Sequence, residues 1–155
     1  MSNETVHTLG VALVVLAGLL AVANGVWFVV GDHPFDDDGY SEEVDLTREQ
    51  AADVTPQLAD WLLHVSDQVG SVSVGWGLFV SALGLLEHRR HDRALQVVLL
   101  VGGLPTLLFS AFGEFAQFGT ADTGTLVSMA VLGLFLVGSA ATYVGTESAD
   151  AARLG

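Results

Sequence analysis

The 155-residue sequence contains no cysteine and no lysine. The lack of cysteine excludes disulfide staples, thiol nucleophiles, thiolate metal sites and iron–sulfur clusters. The basic side chains are five arginines, Arg48, Arg89, Arg90, Arg93 and Arg153, set against 18 acidic residues for a net charge of −13. So little positive charge cannot neutralise a phosphate backbone, which excludes a nucleic-acid partner. Proline occurs three times, at Pro34, Pro56 and Pro105, so long helices can run with few interruptions. Only 15% of residues are charged while 51% are hydrophobic, and the mean hydropathy is +0.54. A charge of −13 fits such a chain only if polar and apolar residues are segregated along it. They are: long apolar runs alternate with short polar stretches, as in an integral membrane protein of one domain.

Four spans are expected, at about 8–30, 66–86, 94–118 and 125–145. The first is about 34 Å long as a helix, enough to cross a bilayer with slight tilt. Ala21-Val22-Ala23 resembles a signal-peptide cleavage site, but Met1–Val6 has no Lys or Arg and the apolar run continues beyond Ala23. A retained span is therefore expected. The segment 31–55 is acidic, with nine Asp or Glu against Arg48. Thr47 with Gln50 three residues later reads as a capping box, and Thr55-Pro56 as an N-cap and first helical residue. From Pro56, Leu58, Trp61, Leu62, Val65 and Val69 recur at helical spacing, an amphipathic approach to the second span. Residues 87–93, Glu87-His88-Arg89-Arg90-His91-Asp92-Arg93, read as a polar hinge. Pro105 predicts a kink in the third span, because it cannot donate to the carbonyl of Val101.

Arginine sets the orientation. Three of the five lie in the hinge 87–93, which the positive-inside rule places in the cytoplasm. Alternation then puts both termini inside, Arg153 included, and the acidic segment outside. Trp27 and Trp61 fall near the outer interface and Tyr143 near the inner one, as an aromatic belt requires.

Glu114 is the residue whose position most needs explaining. It lies within the third span, where a carboxylate costs about 2.5–3.5 kcal/mol on insertion scales. Gly103, Thr106, Ser110, Glu114 and Gln117 share one helix face, and the second span offers a similar stripe at His64, Gln68, Ser71 and Gly75. Asn24 of the first span lies at a comparable depth. Asn24, Gln68, Ser71, Ser110, Glu114 and Gln117 thus form a candidate polar cluster in the outer half of the membrane. Two readings stand: hydrogen-bonding glue between helices, or a cavity for a proton, cation or polar solute with Glu114 as the titrating group. His64 and Asp67 could make a proton relay, or simply a surface pair. Ala17, Ala21 and Gly25 on the first span, and Ser73, Gly77 and Ser81 on the second, form four-residue ladders suited to close helix packing, within the protein or between subunits.

Other constellations carry less. His88 and His91 have metal-ligand spacing, but three neighbouring guanidiniums oppose a divalent cation, so an anchoring loop at the headgroups is expected. Asp36-Asp37-Asp38-Gly39 fails the EF-hand register, which needs an acid where Pro34 stands. His7 and His64 lie at opposite membrane ends in this topology, so no two histidines sit at one depth to hold a haem iron. No phosphate loop, nucleophile elbow or zinc helix is present in the sequence. No metal or cofactor is expected, and an enzymatic role is disfavoured.

The expected fold is all-α: an integral membrane four-helix antiparallel bundle, with a short extracellular amphipathic helix leading into the second span. The expected function is a non-enzymatic subunit or accessory protein in the cell membrane, partnered by lipid and by itself or another membrane subunit. A small carrier or channel built around Glu114 is the alternative, and a quinone-linked redox component the third reading. The missing lysine and acidic surplus resemble proteins of salt-in halophilic archaea, which implies a briny environment and no activity. In size and layout the chain resembles small four-span prokaryotic membrane proteins, the DoxX-like group among them, a likeness that carries over no site residue. Small four-span multidrug exporters place their working glutamate in the first span, where this sequence has only Asn24.

Overall fold

A computed structural model describes residues 2–30, 47–118 and 123–154, excepting the side chains of 114, 117, 118, 123 and 147–154. Most of the acidic segment, 31–46, and the turn at 119–122 lie outside the described residues. Every described element is helical: α1 (Asn3–Val30), α2 (Arg48–Val54), α3 (Pro56–Arg90), α4 (Arg93–Phe118) and α5 (Thr123–Leu154). Four of them, α1, α3, α4 and α5, are long and apolar enough to cross a membrane.

Local chemistry sets the boundaries. Thr47 Oγ1 accepts from the Gln50 amide at 3.2 Å, while Gln50 Oε1 accepts from the Thr47 amide at 2.7 Å, which closes the capping box of α2. Thr55 Oγ1 then accepts from the Leu58 amide at 3.1 Å and starts α3. The amphipathic approach and the second span are one helix of 35 residues, about 52 Å long.

The polar hinge is shorter than the sequence suggests. Glu, His and Arg are all compatible with helix, and α3 runs on to Arg90. It ends where His91 adopts φ 49°, with its amide donating to the Glu87 carbonyl at 2.7 Å. Asp92 Oδ1 accepts from the Ala94 amide at 2.8 Å and caps α4. Glu87 is therefore a helical residue of the last turns of α3, not part of a loop.

The chain divides into two compact units, Met1–Leu20 with Trp76–Gly155 and Ala21–Gly75. In the first, Val14 and Ala17 of α1, Val80 of α3, Leu99 and Leu107 of α4 and Phe135 of α5 share one core. Phe135 is fully buried because Gly103 makes room for it: a Cβ on Gly103 would lie 2.6 Å from the ring. Pro105 lies inside α4 and deprives Val101 of its helical donor. Beside that gap, Trp76 Nε1 donates to the Gly102 carbonyl at 3.2 Å.

In the second unit, Ala51 of α2 and Ala59 of α3 are buried with Leu58 and Leu62 packed around them. Here α1 meets α3 backbone to backbone. A Cβ on Gly25 would lie 2.5 Å from the Gly70 carbonyl oxygen, and one on Gly70 would lie 2.7 Å from that of Gly25. Any side chain at either position would separate the helices.

The outer surface differs from that of a water-soluble protein, although the core is apolar too. Leu19, Trp27, Val72, Leu78, Val101 and Phe109 are exposed, the last at 82%, while His7, Ser81, Gln96, Thr142 and Thr146 are buried. Water would penalise that arrangement, whereas hydrocarbon favours it.

Candidate functional site

One end of the first unit holds a buried polar network to which four helices contribute. His7 stands in the second turn of α1, Glu87 in the last turns of α3, Gln96 in the first turn of α4 and Thr146 on α5. His7 and Glu87 are each 2% exposed and Thr146 is 1% exposed. His7 Nε2 lies 3.1 and 3.0 Å from the two Glu87 carboxylate oxygens. Gln96 Nε2 donates to Glu87 Oε1 at 2.9 Å and to Thr146 Oγ1 at 2.8 Å. The Thr146 hydroxyl donates in turn to the Thr142 carbonyl at 3.0 Å. The Glu87 carboxyl thus receives the Gln96 amide as donor and lies at hydrogen-bond distance from the His7 imidazole.

Two features position these groups. Gly145 faces the backbone of His7, and a Cβ there would lie 2.6 Å from the His7 Cβ and 2.8 Å from its amide nitrogen. Gly10 and Gly138 do the same two turns along: a Cβ on Gly138 would meet the Gly10 carbonyl oxygen at 2.8 Å. The glycines thus let α1 and α5 approach backbone to backbone beside His7. The His7 ring is flanked by His91, at 4.4 Å between centroids, and by His88 at 5.7 Å. Three histidines therefore do gather at one place, which the sequence reading of His7 against His64 did not foresee. Among the described residues, no group of three or more His, Cys, Asp or Glu side chains is arranged to hold a metal ion.

An apolar cavity of about 350 Å³ adjoins the network. Its walls include Val11, Leu99 and Leu136, and its polar margin is Glu87, Gln96 and Ser139. Gln96 Oε1 and Ser139 Oγ are buried without a hydrogen-bond partner, as is His7 Nδ1. Arg93 lies over the ring of Tyr143, another wall residue, at 5.9 Å from the centroid. The arrangement can hold the Glu87 carboxyl in fixed register and offer acceptors to a guest.

The residues singled out from sequence fare differently. Asn24 and Ser71 are exposed. Gln68, also exposed, is 3.0 Å from His64 within the same helix, so His64 has Gln68 as a partner one turn on; Asp67 is exposed. Ser110 Oγ is 3.4 Å from Ser128 Oγ, linking α4 to α5. The side chains of Glu114 and Gln117 lie outside the described residues. Of the ladder positions, Ala17, Gly25, Gly77 and Ser81 are buried and Ala21 and Ser73 partly so. Ser81 Oγ donates to the Val15 carbonyl at 3.4 Å, and Gly18 packs directly against Ser81 and Gly77.

Sequence reasoning passed over the His7–Glu87–Gln96–Thr146 network. A signal was available, because each of the four apolar runs carries a polar residue close to the same end. The same recurrence links the stripes around Glu114, whereas at the arginine-marked end the run 87–93 reads as a hinge. No family model matches this chain, and no match is found among curated proteins or among solved structures.

Proposed function

We propose that this chain is a four-span integral membrane protein, with both termini in the cytoplasm, that acts as a non-enzymatic subunit or accessory protein. The exposed apolar surface carries the reading: large apolar side chains lie on the outside of all four long helices, while His7, Glu87, Gln96 and Thr146 are buried. In this arrangement the helices form an antiparallel bundle, α2 lies outside the cell before the second span, and the arginines of 89–93 face the cytoplasm. The five-arginine, lysine-free composition suits work in concentrated salt. Partners are lipid and either a second copy or another membrane subunit, met through apolar faces.

Purification in mild detergent at multimolar salt tests this. A stable complex, with itself or a second membrane protein, is the expected result, and a strictly monomeric protein that co-purifies with nothing overturns it. Proton or cation flux in liposomes that Glu114→Gln abolishes would replace this reading with a carrier. Topology is checked separately: Asp37→Cys should react with an impermeant thiol reagent from outside, and His91→Cys should not.

A further inference from the structure

The cavity beside Glu87 has walls and margin of opposite chemistry. Its walls are almost entirely apolar, yet the buried edge holds Gln96 Oε1 and Ser139 Oγ, both without a partner and more than nine-tenths buried. Gln96 cannot turn to satisfy its oxygen, because its nitrogen is committed to Glu87 and Thr146 at 2.9 and 2.8 Å. Glu87, also on the margin, accepts and does not donate when ionised. The unmet need at Gln96 Oε1 is therefore for a donor, while the Ser139 hydroxyl can accept or donate. A buried acceptor left without one is costly, and native structures seldom keep it so.

We infer that the cavity binds a small neutral amphiphile, with an alkyl or ring body against Val11, Leu99 and Leu136 and a hydroxyl head that donates to Gln96 Oε1 and shares a hydrogen bond with Ser139. A cavity of about 350 Å³ falls in the range of small-molecule sites. Leu136 and Ala140 line it and are also exposed on the outer face of α5, so the guest enters sideways from the hydrocarbon. The head-group requirement is for O–H, because a carbonyl or ether would set acceptor against acceptor at Gln96 Oε1. This site goes beyond the subunit role and does not depend on it.

Nuclear Overhauser spectroscopy of the full chain in perdeuterated detergent tests the site, with 1-decanol as probe and decyl methyl ether as the matched molecule that cannot donate. Saturable contacts from decanol to the methyl groups of Val14, Leu99 and Leu136 are expected. The ether should bind about three- to tenfold more weakly, the value of one hydrogen bond. Ser139→Ala breaks no hydrogen bond shown in the structure and should weaken decanol binding, while Ala140→Trp fills the cavity and should abolish the contacts. Equal binding of alcohol and ether overturns the inference, as does undiminished decanol binding in Ser139→Ala. So do contacts that survive Ala140→Trp, or that fall only on Val101 and Phe109 of the outer surface.

Discussion

In its first half α3 carries His64 and Gln68, both exposed and bonded to each other one turn apart; in its last turns it carries Glu87, buried and bonded to side chains of α1 and α4. The residue types are equally polar and the helix is the same. What differs is how many other elements supply partners. A pair at i and i+4 on an exposed face contributes a few tenths of a kcal/mol and constrains only its own helix. A buried carboxylate met by donors from elsewhere fixes the positions of those elements, and its loss leaves the donors stranded. Polarity alone does not mark a site; the sequence distance over which it is satisfied does.

The comparison can be broken most directly at Glu87. Glu87→Leu should destabilise the protein by about 3–5 kcal/mol, read from detergent-induced unfolding, because His7 and Gln96 are left buried without their acceptor. Adding His7→Leu should recover part of that loss, since the imidazole left without its partner is then removed; a double variant as unstable as the sum of the two single ones removes the pair from the account. Gly145→Val should cost about 1–3 kcal/mol in the same assay, by pushing the α1 backbone away at His7. Thr146→Val keeps the shape and removes the acceptor used by Gln96, for about 1 kcal/mol. At the other extreme, Gln68→Ala should change stability by no more than about 0.5 kcal/mol. A loss there comparable with that of Glu87→Leu would erase the contrast.

The helices were legible because length and apolar continuity are one-dimensional properties. The Thr47–Gln50 box and the Thr55 cap were legible for the same reason, as their partners lie three residues apart. The close approaches were only partly so. The ladder rule pointed to Gly25 and Gly77, which the structure packs against neighbouring backbone or small side chains. It missed Gly10, Gly138 and Gly145, because a membrane helix is apolar on every side and periodicity does not say which side faces inward. Glu87 was hidden by its neighbours: three arginines and two histidines within six residues make a run that looks solvated. Its burial depends on His7, which is 80 residues away.

Those separations set an order of assembly during synthesis. His7 emerges first and has no carboxylate to meet until α3 is complete. Gln96 follows Glu87 by nine residues, across the short turn at His91 and Asp92, so it is the donor that arrives with its acceptor. Thr146 comes 59 residues after Glu87 and occupies the amide that Gln96 still has to spare. The last helix thus closes a lock begun by the first, and a nascent chain that stops short of α5 leaves the amide of Gln96 without its Thr146 acceptor.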